Sequence, residues 1–139
     1  EASHFARMLG VPVAAGNKRR ISDDKTIIES IVGEVRGRRC IVLDDEVANG
    51  GSMLTLIPKL REYGAARFSL TSTHGLFSSD AIARMAAIED VDEIVTTDTI
   101  PLLAEKRHPK VTQLSIAPLF SEAIRRIHAG ESISGLFGD

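Results

Sequence analysis

The chain has 139 residues, of which 43% are hydrophobic and 26% charged, and a formal net charge of −2. That balance fits one globular domain, and it lacks the basic excess that broad binding to nucleic acid or to an acidic membrane surface requires. No run approaches the roughly 18 consecutive apolar residues of a membrane span, and no leading basic-then-apolar segment reads as a secretory signal, so a cytoplasmic location is expected. The single cysteine, Cys40, has no intramolecular partner and reads as a buried strand thiol.

In chain order, Phe5, Met8 and Leu9 share one helical face and Gly10 ends that helix. The chain opens on Glu1 rather than on methionine, and we expect a longer protein upstream. Residues 11–15 form a short apolar run with the character of a strand. Residues 16–24 (Gly-Asn-Lys-Arg-Arg-Ile-Ser-Asp-Asp) have no periodicity and are predicted as a loop. Residues 26–35 mix β-branched and charged side chains, which favours strand over helix.

Cys40-Ile41-Val42-Leu43 is a continuous apolar run ending in two aspartates, the pattern of a strand buried on both faces and central in a sheet. Gly50-Gly51-Ser52 follows, and then Met53, Leu56, Ile57 and Leu60 recur at helical spacing until Gly64. Pro58 falls inside this helix, where it removes one backbone hydrogen bond, and a kink or an irregular first turn is expected. Beyond it lie a strand at residues 68–73, a helix carrying Ala81, Ile82, Met85 and Ile88, and strands at 93–96 and 111–116. A last amphipathic helix carries Leu119, Ala123, Ile124 and Ile127 and closes at Gly130. Such alternation predicts an α/β fold with a mostly parallel twisted sheet flanked by helices, with ligands at the carboxyl ends of the strands.

The chemistry concentrates in Leu43-Asp44-Asp45-Glu46-Val47-Ala48-Asn49-Gly50-Gly51-Ser52. Glycines let backbone N–H groups approach an anion, the following helix presents unpaired N–H groups with partial positive charge, and Ser52 adds a hydroxyl. A phosphate fits such a cup. The two aspartates just upstream can accept hydrogen bonds from a sugar diol or hold a hydrated Mg²⁺, so phosphate and diol together describe ribose 5-phosphate. The plainer alternative stays open: Asp-Asp ends a strand, Gly-Gly makes a turn, and Ser52 caps the helix.

At these residues the sequence resembles a phosphoribosyltransferase-type loop. The blocks Thr73-His74-Gly75-Leu76-Phe77-Ser78, Val95-Thr96-Thr97-Asp98-Thr99-Ile100-Pro101, Ser115-Ile116-Ala117-Pro118-Leu119 and Glu122 through Ser132, with Lys18-Arg19-Arg20, resemble ribose-phosphate pyrophosphokinases in that family's order. The resemblance implies a type I phosphoribosyltransferase-like domain, residues 1–139, forming the carboxy-terminal half of a two-domain enzyme. Such an enzyme transfers pyrophosphate from ATP to ribose 5-phosphate with Mg²⁺, commonly as a homo-hexamer. Carried over by position, Lys18 and Arg20 match a mobile catalytic flap, Asp44 and Asp45 the ribose hydroxyl contacts, and Ala48, Asn49, Gly50, Gly51 and Ser52 the 5-phosphate cup. No direct metal ligand follows. The family usually has aspartate where this chain has Ala48, threonine where it has Asn49 and an apolar residue where it has Glu46. Those departures raise a second reading, a non-catalytic family member. A third, a phosphoribosyltransferase, fits the carboxy-terminal blocks poorly. His4 and His108 read as solvated, His128 as a helix-terminal cation, and His74, at a strand end, as a possible neighbour of the nucleotide. The Thr97-Asp98-Thr99 turn reads either as a cap or as support for the site.

Overall fold

The computed structural model describes residues 2–22 and 25–137, excepting the side chains of residues 18–27. Helix α1 (Ala2–Leu9) leads into an antiparallel ribbon of β1 (Ala15–Ser22) and β2 (Lys25–Val32). Then follow β3 (Arg39–Val47), α2 (Gly51–Glu62), β4 (Arg67–Gly75), α3 (Ala81–Ala86), β5 (Val91–Thr97), β6 (Val111–Leu114) and α4 (Ala117–His128). Strands β3, β4, β5 and β6 form one parallel sheet in that order, which is the α/β architecture expected from the alternation. Among the described residues no helix is long and apolar enough to cross a membrane.

Burial centres on β4, where Phe68 and Leu70 are fully enclosed, against Met53, Ile57 and Leu60 of α2 and Ala81, Ile82 and Met85 of α3. Ile28 and Ile31 anchor the ribbon to the same core. Helix α2 is continuous across Pro58, so the expected irregularity does not reach its first turn. The proline lies well inside the helix, whereas the first turn is shaped by Asn49 and Gly50.

Three expectations are corrected. Residues 16–24 were expected to be a loop, but residues up to Ser22 form β1, paired with β2 through register shifts at Asn17/Lys18 and Arg20/Ser22. A polar strand of a two-stranded ribbon carries no alternating apolar signal, and its partner's β-branched residues supply the propensity. Of residues 11–15 only Ala15 is in a strand. Finally, β3 is an edge strand: among the described residues it pairs with β4 alone, and Ile41 is 48% exposed. Cys40 is correspondingly half-buried, and desolvation pushes its thiol up from its ordinary value against the nearby Arg38 charge.

The outer helices form as their periodicity predicts, yet their apolar stripes stay open. In α1 only Ala6 is buried, and in α4 nothing is; Ile124 and Ile127 are about two-thirds exposed. Position is kept by polar ties. Lys110 donates its ammonium to the carbonyls of Ala86 (2.8 Å), Val91 (2.7 Å) and Ile88 (3.4 Å), joining the end of α3 to the start of β5. Asp98 accepts the Ile116 N–H at 2.8 Å where α4 begins. The Ser115 hydroxyl and that amide together hold the Asp98 carboxyl below its ordinary value.

Two predictions follow. A Cβ at Gly75 would collide with the Phe77 ring and lie 2.6 Å from Thr96 Oγ1, so Gly75→Ala should destabilise the chain by about 1–3 kcal/mol in urea unfolding. In α4, Arg125 and then Arg126 hold the Glu122 carboxyl down at about 2. A depressed carboxyl stabilises the folded helix above its unfolded value and loses that effect as pH falls through the folded one. Carboxyl-detected NMR titration should therefore place the Glu122 midpoint at about 2, and Arg125→Gln should raise it.

Candidate functional site

The chain passes from β3 to α2 through Ala48-Asn49-Gly50. Gly50 has φ +74°, and a Cβ there would also sit 3.2 Å from Met85 Sδ, so glycine alone takes the turn without strain. Asn49 Oδ1 accepts the Gly51 N–H at 2.9 Å, the local turn that asparagine favours. Ser52 therefore does not cap the helix: the N-cap is Gly50, with no side-chain bond from it.

The loop after β4 completes the arrangement. Phe77 N–H donates to Val47 carbonyl at 3.0 Å and Ser78 N–H to Ala48 carbonyl at 2.8 Å. Phe77 and Ser79 both adopt positive φ, at 46° and 54°, conformations that cost free energy in non-glycine residues. Enclosure of the Phe77 ring, 1% exposed, holds the first of them. The carbonyls of Val47 and Ala48 are thus engaged with the neighbouring loop. The amides of Ser52 and Met53 meet no acceptor among the described residues, and they carry the positive end of the α2 dipole.

These elements enclose a cavity of about 130 Å³ lined by residues 47–53 with Asp44 and Glu46, well below the several hundred Å³ of a drug-sized pocket and suited to a phosphate-sized group. Of the residues singled out in the sequence, Asp44, Ala48, Asn49, Gly50, Gly51 and Ser52 meet here. Asp45 does not line the cavity, because successive strand residues face opposite sides of the sheet; Glu46, on the side of Asp44, takes its place. Asp45 Oδ1 instead accepts the Glu46 N–H at 2.9 Å. The backbone of Lys18 pairs with Ile28 and that of Arg20 with Thr26, and both side chains lie outside the described residues.

Among the described residues two carboxylates and no Lys or Arg line the cavity, so they would repel a bound phosphate that the helix amides attract. Among the described residues no group of three or more His, Cys, Asp or Glu could hold a metal ion. This donor set fits Mg²⁺ held through waters and ligand oxygens rather than in a protein cage.

His74 is the register partner of Glu46 on β4, and its Nδ1 is 2.9 Å from Thr99 Oγ1. Thr97 and Thr99 hydroxyls donate to the Thr73 carbonyl at 2.7 and 3.0 Å. The Thr97-Asp98-Thr99 turn therefore braces the end of β4 and the start of α4. Sequence reasoning missed the part played by Phe77 and Ser78, since no periodicity or charge marks a backbone donor.

A family model described as the phosphoribosyl synthetase-associated domain matches residues 7–138. The chain belongs to this family. Among members with curated names, a Streptomyces coelicolor protein provisionally named a ribose-phosphate pyrophosphokinase is 52% identical over 137 residues, covering 99% of this chain and 43% of that protein. The ribose-phosphate pyrophosphokinase of Caldanaerobacter subterraneus is 40% identical over 136 residues, covering 98% of this chain and 43% of that protein. The crystal structure of phosphoribosylpyrophosphate synthetase from Mycobacterium smegmatis superposes with a TM-score of 0.79 at 36% identity, covering 92% of this chain and 41% of that one. The type I phosphoribosyltransferase-like fold is thereby established, and the resemblance read from the sequence blocks is confirmed. The chain spans about 43% of the length of the curated relatives it matches.

The electrostatics of the cup predict that Glu46→Leu tightens any binding of inorganic phosphate there by roughly three- to tenfold, the Coulomb effect of one charge several ångströms from a phosphate in a wet site. Calorimetric titration at low salt, where screening is weakest, checks this.

Proposed function

We propose that this chain is the ribose 5-phosphate-binding domain of a ribose-phosphate pyrophosphokinase, the carboxy-terminal half of a two-domain, cytoplasmic, homo-oligomeric protein, hexameric by resemblance. The observation that carries this reading is the shared cavity: the amides of the α2 amino terminus and the Asp44 carboxylate open into one space at the carboxyl end of β3. A 5-phosphate seated on the amides of Ser52 and Met53 places the ribose ring towards β3, where Asp44 accepts hydrogen bonds from ring hydroxyls. Names carried by relatives support the same substrate class.

In the reaction, the anomeric hydroxyl oxygen of ribose 5-phosphate attacks the β-phosphorus of ATP. The bond from that phosphorus to the α–β bridging oxygen breaks, AMP leaves, and the hydroxyl proton passes to solvent or a base. Charge stabilisation and positioning dominate such transfers. Lys18 and Arg20, on the β1–β2 ribbon, supply positive charge to the transferring phosphoryl groups: Arg20 by a two-pronged contact, Lys18 as a point charge. Mg²⁺, when bound, neutralises phosphate charge, and Asp44 and Glu46 would hold it through its waters.

A second reading rests on the cup itself. Asn49 Oδ1 occupies the Gly51 amide, Glu46 adds negative charge, and Ala48 provides no carboxylate beside the sugar, features that suit a subunit that binds without turnover. The two readings separate in one experiment on the full-length protein. Titration with ribose 5-phosphate and Mg²⁺, followed by an assay of AMP release from ATP, is run before and after Ala48→Asp. Catalysis by the natural protein supports the enzyme. Turnover gained only by Ala48→Asp, by about 10²-fold or more as for an added general base, supports the binding subunit. Absence of ribose 5-phosphate binding in both proteins overturns the site.

A further inference from the structure

A larger recess, about 420 Å³, opens at the opposite edge of the sheet and is lined by Leu102, Arg107, His108, Pro109, Val111 and Gln113. Its size lies within the range of pockets that enclose small organic ligands. Its chemistry is the reverse of the cup's, because among the described residues no carboxylate lines it.

His108 and Gln113 are oriented by bonds made elsewhere. His108 Nδ1 accepts the Lys110 backbone N–H at 3.1 Å. An amide N–H only donates, so Nδ1 carries a lone pair and the neutral ring bears its proton on Nε2. Arg107, next in sequence, makes no side-chain hydrogen bond or ion pair among the described residues, which leaves its forked donors available to an incoming anion. Gln113 directs its amide nitrogen to the carbonyls of Ile100 (2.9 Å) and Thr97 (3.3 Å), locking one wall in place. Leu102 and Val111 pack against the core and, with Pro109, give the recess an apolar side.

We infer that this recess binds a small organic anion, a phosphate or carboxylate on an apolar body, with Arg107 and the His108 Nε2–H donating to the anionic group and Leu102, Pro109 and Val111 contacting the body. This site is separate from the ribose-phosphate cup and does not depend on its assignment. His108 is oriented before a ligand arrives by its bond to the Lys110 amide, which lowers the ordering cost of binding, and Arg107 supplies the charge beside it.

The test is calorimetric titration of the full-length protein with phenyl phosphate, benzoate and phenol. The two anions should bind saturably and phenol at least about tenfold more weakly, the difference expected for loss of charge-assisted hydrogen bonds. Arg107→Gln should weaken anion binding by a similar factor, and Arg107→Lys should partly restore it. His108→Asn places an amide oxygen where Nδ1 lay, so it keeps an acceptor for the Lys110 N–H while deleting the Nε2 donor, and it should also weaken the anions. Ser52→Ala, in the cup, should leave the recess unaffected. Anion binding that is retained at full strength in Arg107→Gln overturns the recess. So does the absence of saturable binding, or equal affinity for phenol. Should His108→Asn fail to fold, the two Arg107 variants decide the matter. Persistent recess binding in a protein that ignores ribose 5-phosphate would refute the proposed function and leave this inference standing.

Discussion

The candidate site depends on how one short turn disposes of its backbone hydrogen bonds. Between Val47 and Gly51 the chain must stop pairing as a strand and begin pairing as a helix, and a buried peptide group left without a partner is costly. The carbonyls of Val47 and Ala48 are taken by Phe77 and Ser78, and the Gly51 amide by Asn49. What remains is a small set of amides at a helix start, facing a cavity. Gly50 permits the geometry with its positive φ, and the enclosed Phe77 ring holds the second loop against the first. The shape of the cup is thus a property of main chain held in place by packing.

Much of the fold was legible because its signals are periodic. The helical spacing of Met53, Ile57 and Leu60 and the apolar runs of β4 and β5 report their burial directly. The ribbon was not legible, since the residues from Gly16 to Ser22 carry no apolar alternation in sequence. The apolar run at Cys40–Leu43 was read as a strand enclosed on both sides, and the structure gives it one neighbour. At the site, glycines and small residues revealed the cup, but the paired aspartates were treated as a unit. A strand sends neighbouring side chains to opposite faces, so Asp44 belongs with Glu46 and not with Asp45. The shared face of Asp44 and Glu46 is legible in the sequence once the strand is extended to Val47.

The sheet carries two cavities with linings of opposite character. At the β3 end, carboxylates surround a dipole-positive floor; at the β6 edge, donors surround an apolar one. Between them run ties that fix loop to loop: Lys106 to the Leu76 carbonyl at 3.3 Å, Thr97 and Thr99 to Thr73, and Gln113 to the Thr97 carbonyl. These bonds hold the carboxyl ends of β4 and β5 as one platform despite their polar composition. Surface ion pairs, such as that of Arg61 with Asp90, add little by comparison.

The strand that carries Asp44 and Glu46 also forms, among the described residues, the outer margin of the sheet. Its row of main-chain donors and acceptors is a template for another strand, laid along the same rod that carries the acids. A chain that adds there more readily when the cup is filled must, by thermodynamic reciprocity, tighten the cup when it adds. Assembly at that margin and occupancy of the pocket would then be two readings of one equilibrium.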